Sequence, residues 1–282
     1  MRKIYLIIAL PLMLSGCSFL VSNATSSFSS NLAAAILNQD DPEIVRDGLP
    51  TLMLTMDSLI EGSPQNPKLL AAGATLYVLY EAAFVNEDHR SIILTDRAHS
   101  YSLRAMCNIH EPSCSWPNLN YDDFLESLDG ISSDNADILM SYGLSSLAYL
   151  RARSSTWDAI ARFPQIQKLF DYYLEISGDS ANSSAYTYIG IMHSLRPPML
   201  GGKPELARQF FERAISESKG HDLSAKLEYA RFYAKLMYER ELHDRLLKEI
   251  LEADPNHDGF ILTNKLAKME AVKLLAEADE YF

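Results

Sequence analysis

From Asp40 onward, the chain places apolar residues at helical spacing, and this pattern predicts a succession of amphipathic helices. Several predicted starts combine an Asp, Asn or Ser N-cap with a proline or an acid in the first turn. No segment alternates apolar and polar residues with β-branched enrichment, so we expect no strands and an all-α fold. The predicted helix starts are Asp41-Pro42-Glu43, Asn66-Pro67-Lys68, Asp134-Asn135, Ser183-Ser184, Lys203-Pro204-Glu205, Asp222 and Asp258.

Three glycines, Gly73, Gly143 and Gly190, occupy equivalent positions in the first helices of three predicted hairpins. A glycine inside a helix costs about 1 kcal/mol relative to alanine, so its repeated use indicates close approach of a second helix. The following helices carry matching small and large residues. We interpret the chain as helical hairpins forming a degenerate (cryptic) tetratricopeptide-like repeat solenoid. The alternative is generic hairpins on which the small residues coincide. The matching positions are Ala98-x3-Ser102, Ala207-x3-Phe211 and, less well, Ile166-x3-Phe170.

The glycines are unevenly spaced because insertions separate the paired helices. We predict loops at Asn108–Asn120, Arg151–Pro164 and Arg196–Gly202. The insertions do not divide the chain, and we expect residues 40–282 to form a single all-helical domain.

The N-terminus has the pattern of a bacterial lipoprotein signal. Two basic residues and a short apolar run lead to the sequence LSGC at positions 14–17. The run is too short for a membrane span, which needs about 20 apolar residues. We predict that residues 1–16 are a signal peptide, that Cys17 is lipidated, and that residues 17–39 are a flexible tether. The alternative is an uncleaved anchor or an ordinary secretory signal. Ser18 permits transfer to the outer membrane, which we favour over the inner membrane for the periplasm-facing anchor.

Charge excludes one class of partner. The formal net charge is −12, and the signal peptide removes only the two basic residues Arg2 and Lys3. An acidic chain without a basic cluster does not favour nucleic acid or anionic membrane surfaces. From Asp40 onward no apolar stretch is long enough for a second membrane segment, so the lipid is the one membrane attachment that we expect.

Two cysteines remain after lipidation, Cys107 and Cys114, and a short segment with a proline separates them. In an exported protein this arrangement favours a disulfide, with free buried thiols as the alternative. His110 lies between them, but a fourth zinc ligand is not evident nearby, so we expect no metal site.

Catalytic motifs give no positive signal. The sequence has no GxSxG, Walker, GxGxxG or HExxH pattern, so we expect neither an enzyme nor a cofactor. Glu81, in an aromatic-rich helix, is either a pocket acid with a raised pKa or, as we favour, the polar side of an amphipathic helix. Glu81 and His193 are the residues to substitute if an envelope hydrolase is to be tested.

The 15 tyrosines and 11 phenylalanines concentrate in the predicted helices. Tyrosine combines a large contact area with a hydrogen-bonding tip, which suits cavity walls and interfaces. Packing between the hairpins explains most of them, and a minority could line a ligand cavity.

Longer motifs resemble one known family. These are DPEIVRDGLP at 41–50, YSLRAMC at 101–107, WDAIA at 157–161 and, most specifically, RPPMLGGKPELA at 196–207. They are similar to the T component of TPR-protein-associated TRAP transporters, a group of periplasmic lipoproteins. The similarity extends over nearly the whole mature chain.

The resemblance implies an all-helical homotrimer with a pore or cleft through each protomer. Each protomer would receive a periplasmic TRAP-type solute-binding protein, and the ligand would be an apolar or amphipathic small molecule moved without bond chemistry. No short motif fixes the pore-lining positions. We therefore expect the passage or its mouth near the predicted loops, at Trp157, Tyr186, Arg196, Pro197 and Pro198. The alternative function is a lipoprotein scaffold that assembles envelope proteins and has no ligand of its own.

Overall fold

The computed structural model describes residues 31–282, and within this range it contains helices and turns but no strand. The predicted all-α fold is therefore confirmed. Residues 31–37 are helical and precede the first complete helix. The α-helices are α1 (Pro42–Gly62), α2 (Pro67–Phe84), α3 (Asp88–Ile109), α4 (Tyr121–Glu126), α5 (Ala136–Arg151), α6 (Trp157–Ser177), α7 (Ser183–Ser194), α8 (Pro204–Glu217), α9 (Leu223–Glu228), α10 (Arg240–Glu252), α11 (Ile261–Ala276) and α12 (Ala278–Tyr281).

Side-chain caps explain where several helices begin. The carboxylate of Asp41 accepts a hydrogen bond from the backbone N–H of Glu43 at 2.9 Å, and Asn66 and Asp222 cap α2 and α9 in the same way. The expected start at Asp258 is wrong, because α11 begins at Ile261. Gly259 has a φ of +82°, which a right-handed helix does not accommodate.

The three in-phase glycines do mark close helix contacts. A Cβ atom on Gly73 would lie 2.8 Å from the Ile60 side chain. On Gly190 it would lie 3.0–3.1 Å from three ring atoms of Phe211, and on Gly143 3.1 Å from the Phe170 ring. The prediction of close approach is therefore confirmed. Consecutive helices pack as pairs, α2 with α3, α5 with α6, and α7 with α8.

Two predicted loops contain regular structure instead. Residues Glu111–Asn118 form a 3₁₀-helix, and α6 begins at Trp157, inside the predicted loop Arg151–Pro164. The Thr156 hydroxyl caps α6 by accepting from the backbone N–H of Ala159 at 3.3 Å. Pro164 suggested a loop because it cannot donate a helical hydrogen bond, yet it lies within α6. The loop Arg196–Gly202 holds a 3₁₀ turn, Pro198–Leu200, followed by Gly201 at a φ of +84°.

The two ends of the described chain meet. The backbone N–H of Gly259 donates to Oδ1 of Asn38 at 2.6 Å, and α11 contacts α1. Leu262 belongs to the same buried cluster as the N-terminal helices, as does Ile36. Ile36, four residues before the predicted domain start, already packs into the core, and the domain bounds themselves stay a prediction. The signal peptide and Cys17 lie outside the described residues.

Within residues 31–282, no helix combines the length and apolar character needed to cross a membrane.

Candidate ligand-binding site

A cavity of about 110 Å³ lies where α3, the 3₁₀-helix Glu111–Asn118, α4, α5 and α6 come together. Its lining is rich in aromatic side chains, with a few polar groups among them. The lining residues are His99, Trp116, Pro117, Phe124, Tyr142, Ser146, Tyr149, Leu150, Asp158, Arg162, Gln165 and Ile166.

The aromatic rings of the wall form a continuous column. The centroid distances are 4.8 Å from Tyr149 to His99, 5.5 Å from His99 to Tyr142, 4.8 Å from Tyr142 to Trp116, and 5.4 Å from Trp116 to Phe124. The indole N–H of Trp116 is satisfied by the Ser127 hydroxyl at 2.8 Å, so this ring presents an apolar surface to the cavity. Such a wall suits hydrocarbon or a ring better than a strongly hydrated group.

Burial sets the protonation states of two groups in the column. Burial, with the nearby charges of Arg162 and Arg153, lowers the pKa of His99 to about 4. Burial raises the pKa of Tyr142 to about 12. Both rings are therefore neutral at pH 7, and the only full charges on the lining are those of Asp158 and Arg162.

The charged pair lies on the first two turns of α6. Nε of Arg162 is 3.1 Å from both carboxylate oxygens of Asp158. Also on the lining, the Ser146 side chain is buried, and its hydroxyl makes no hydrogen bond of standard geometry among residues 31–282, although the Tyr142 phenol one turn away lies close enough to interact with it. An unpaired buried hydroxyl costs free energy unless a ligand or water meets it.

The predicted passage residues occupy two separate places. Trp157 is 86% exposed at the start of α6, next to Asp158 on the cavity lining. Arg196 lies nearby, since its guanidinium stands 5.4 Å from the Phe163 ring of the same helix. Pro197 and Pro198 are exposed in the loop that follows Arg196.

Tyr186 does not join this group. It is buried on α7, where its ring stacks on Phe210 with centroids 6.4 Å apart and lies 4.7 Å from the Arg213 guanidinium. Tyr186 therefore packs between α7 and α8 and is not on the lining of this cavity.

Sequence reasoning missed the lining residues themselves. A signal was present, because Tyr142, Ser146 and Tyr149 recur at helical spacing on α5, and Asp158, Arg162 and Gln165 do so on α6. The set on α5 is mainly aromatic, the set on α6 is polar, and each defines one helix face. Only the packing of α5 on α6 shows that the two faces meet.

Glu81 does not lie on a solvated polar side of its helix, which is the interpretation that the sequence favours. It is 3% exposed, accepts a hydrogen bond from the Ser91 hydroxyl at 2.5 Å, and forms an ion pair with Arg151 of α5. The prediction is wrong because α5 packs against α2 and covers that side. His193, the other residue considered for catalysis, stacks on Phe210 at 5.9 Å.

Cys107 and Cys114 lie at the end of α3 and in the 3₁₀-helix that follows. Their Cα atoms are 4.6 Å apart, and their sulfur atoms are joined as a disulfide. That this disulfide forms in the cell stays a prediction. No cluster of three or more His, Cys, Asp or Glu side chains that could hold a metal ion occurs among the described residues.

The fold defines the class of protein as an all-helical chain of packed hairpins with an aromatic cavity between them. The sequence model of the family "TRAP transporter T-component" matches residues 38–282. The chain belongs to this family, and it is an auxiliary component of a TRAP transporter system. No curated protein shows significant sequence similarity to it.

Proposed function

We propose that the protein is a lipid-anchored, periplasm-facing T component that docks a TRAP-type solute-binding protein and binds or passes a hydrophobic small molecule. No bond is made or broken. The observation that carries this proposal is the aromatic cavity, whose lining continues at Asp158 into the exposed start of α6. Family membership supports a role in a TRAP transporter system, and the cavity supports the binding of a ligand.

Desolvation drives ligand capture at such a cavity. Removing apolar surface from water stabilises the complex by about 25 cal/mol per Å² before association costs are subtracted. The rings of His99 and Tyr142 are neutral, which keeps the aromatic column free of charge. The cavity admits only the end of a fatty-acid-sized molecule, so the rest of such a ligand would extend towards the mouth, which we assign to the exposed start of α6 beside Asp158.

A surface beside the mouth supports docking. We call it the α6 patch and define it by Trp157, Ile160, Leu195 and Met199. All four side chains are exposed, Met199 at 94%. Arg196, by lying over Phe163, holds the loop that carries Met199 against α6. Trp157 and Ile160 lie one turn apart on α6, and large exposed apolar side chains of this kind are typical of protein interfaces.

Docking is tested with the binding protein of the same transport system. We expect the purified pair to co-elute, and we expect Trp157→Ser with Met199→Ser to weaken the complex by about tenfold or more. Leu54→Ser is the matched control, since Leu54 is 70% exposed on α1. Equal loss in both variants, or no complex with the wild type, would contradict the docking role.

Ligand binding and anchoring need separate measurements. Native mass spectrometry of protein purified without added lipid should recover bound apolar molecules and report the expected homotrimer. Mass spectrometry of the membrane fraction should find an acylated N-terminal Cys17, absent in Cys17→Ser. An acylated protein that binds its partners but never a small molecule would favour the scaffold function instead.

A further inference from the structure

We propose that the loop Arg196–Gly202 is a preformed docking element, and that Met199 at its tip inserts into an apolar pocket on the TRAP-type solute-binding protein. This inference rests on the proposed docking function and names the contact that the partner must provide. The loop opens the most specific motif of the sequence, yet Pro197, Pro198 and Met199 belong neither to the buried core nor to the cavity lining.

The loop is longer than the connection between α7 and α8 requires. The backbone N–H of Lys203 donates to the carbonyl oxygen of His193 at 3.2 Å, so the two ends of the connection already meet at its base. Short turns commonly join packed helices. The residues between these two positions are therefore free to serve another purpose.

Backbone geometry holds the loop in one conformation. The N–H groups of Gly202 and Gly201 donate to the carbonyl oxygens of Pro197 and Pro198, at 3.2 and 3.1 Å. A Cβ atom at position 202 would lie 1.7 Å from the carbonyl oxygen of Arg196, so only glycine fits there. The two prolines fix their own φ angles and restrict the loop further. A loop that is ordered before binding does not lose that conformational entropy in the complex.

Met199 is the side chain that this rigid loop presents. It is 94% exposed, so it makes almost no contact with the rest of the described chain. An unbranched thioether adapts to the shape of an apolar pocket, and one deeply inserted side chain often contributes a large share of an interface's affinity. Met199 therefore has the properties of an anchor, and Gly202 is the residue that positions it.

The position of the loop points to the partner. The Arg196 guanidinium stands 5.4 Å from the Phe163 ring, and Phe163 lies one turn from Ile160 on α6. The loop therefore continues the α6 patch, where we propose that the solute-binding protein docks.

Calorimetric titration with the solute-binding protein of the same transport system tests the loop. We expect Met199→Ser and Gly202→Ala each to weaken the complex about tenfold, and Met199→Leu to stay within about threefold of the wild type. The double variant should lie within about twofold of the single ones, because Gly202 acts through Met199. Leu54→Ser also removes an exposed apolar side chain, and Gly48→Ala adds a methyl group in open space, so both should bind like the wild type.

Circular dichroism checks the folding of Gly202→Ala, and Met199→Ser tests the anchor independently because its side chain is exposed. Wild-type affinity in Met199→Ser would overturn this inference, and a loss in Trp157→Ser would then leave the docking function standing. Additive losses in the double variant would overturn the positioning role of Gly202. A smaller oligomer for Met199→Ser in native mass spectrometry, at unchanged affinity for the binding protein, would overturn the inference by making the loop a contact between copies of this chain. No complex with the wild type would overturn both the inference and the docking function.

Discussion

His99 gives the sharpest test of the aromatic column, because its pKa ties burial to stability. The ring has a pKa near 4 in the fold and 6.5 in a model peptide. Above pH 6.5 the histidine is neutral whether the chain is folded or not. As the pH falls from 6.5 to 4, the unfolded chain binds a proton at His99 that the folded chain does not bind. The free energy of unfolding therefore decreases across this window.

The magnitude follows from the difference in pKa. One unit corresponds to about 1.4 kcal/mol, so the full window removes about 3 kcal/mol of unfolding free energy. Below about pH 4 this loss is complete. His99→Phe keeps a ring in the stack with Tyr149 and cannot take up a proton. We expect the variant to gain stability relative to the wild type as the pH falls.

Urea unfolding followed by circular dichroism measures this at several values between about pH 7 and pH 4.5. Carboxylates titrate in both proteins and cancel in the difference. His99→Gln controls for packing, because lost contacts shift stability equally at every pH whereas a lost titration changes the slope. If the difference between His99→Phe and the wild type stays flat over this range, the histidine is not a buried neutral group and the reasoning fails.

Three further predictions concern the fold. Gly190→Ala should lower the unfolding free energy by about 1–3 kcal/mol, because its methyl group would press on Phe211, whereas Gly48→Ala, with open space around it, should gain up to about 1 kcal/mol. Arg151→Met should cost about 1–3 kcal/mol in urea unfolding by leaving the buried Glu81 unpaired, and Arg245→Met, in an exposed pair with Glu249, should cost under about 0.5 kcal/mol. Alkylation before and after reduction should show Cys107 and Cys114 blocked as a disulfide, and replacing both by serine should cost about 2 kcal/mol; free thiols in the exported protein would contradict this.

Local rules in the sequence predicted much of the fold. The caps at Asp41 and Asn66 and the close packing at Gly190 depend on a few neighbouring residues and on steric limits, and these could be recognised in advance. The predicted loop up to Pro164 is wrong because one lost hydrogen bond does not end a helix whose other turns are well packed. Such local rules predict where one helix begins or ends, but they do not predict which helix packs against it.

The candidate site was harder to predict for that reason. His99 and Trp116 belong to segments that are distant from Arg162 in the sequence, and nothing in their spacing shows that they share a wall. Glu81 was misjudged in the same way, because its partner Arg151 lies on another helix. Trp157 was proposed for the passage because it lies in the predicted loop Arg151–Pro164, whereas in the structure it is exposed at the start of α6.

The hydrogen bond between Asn38 and Gly259 joins positions that are 221 residues apart. During synthesis from the N-terminus, Asn38 emerges long before Gly259, and the bond cannot form until Gly259 is present. The earliest helices therefore stay without their final neighbour until synthesis is nearly complete. Such long-range closure slows folding, and a truncation that removes the last helices would leave the first ones with an uncovered apolar flank.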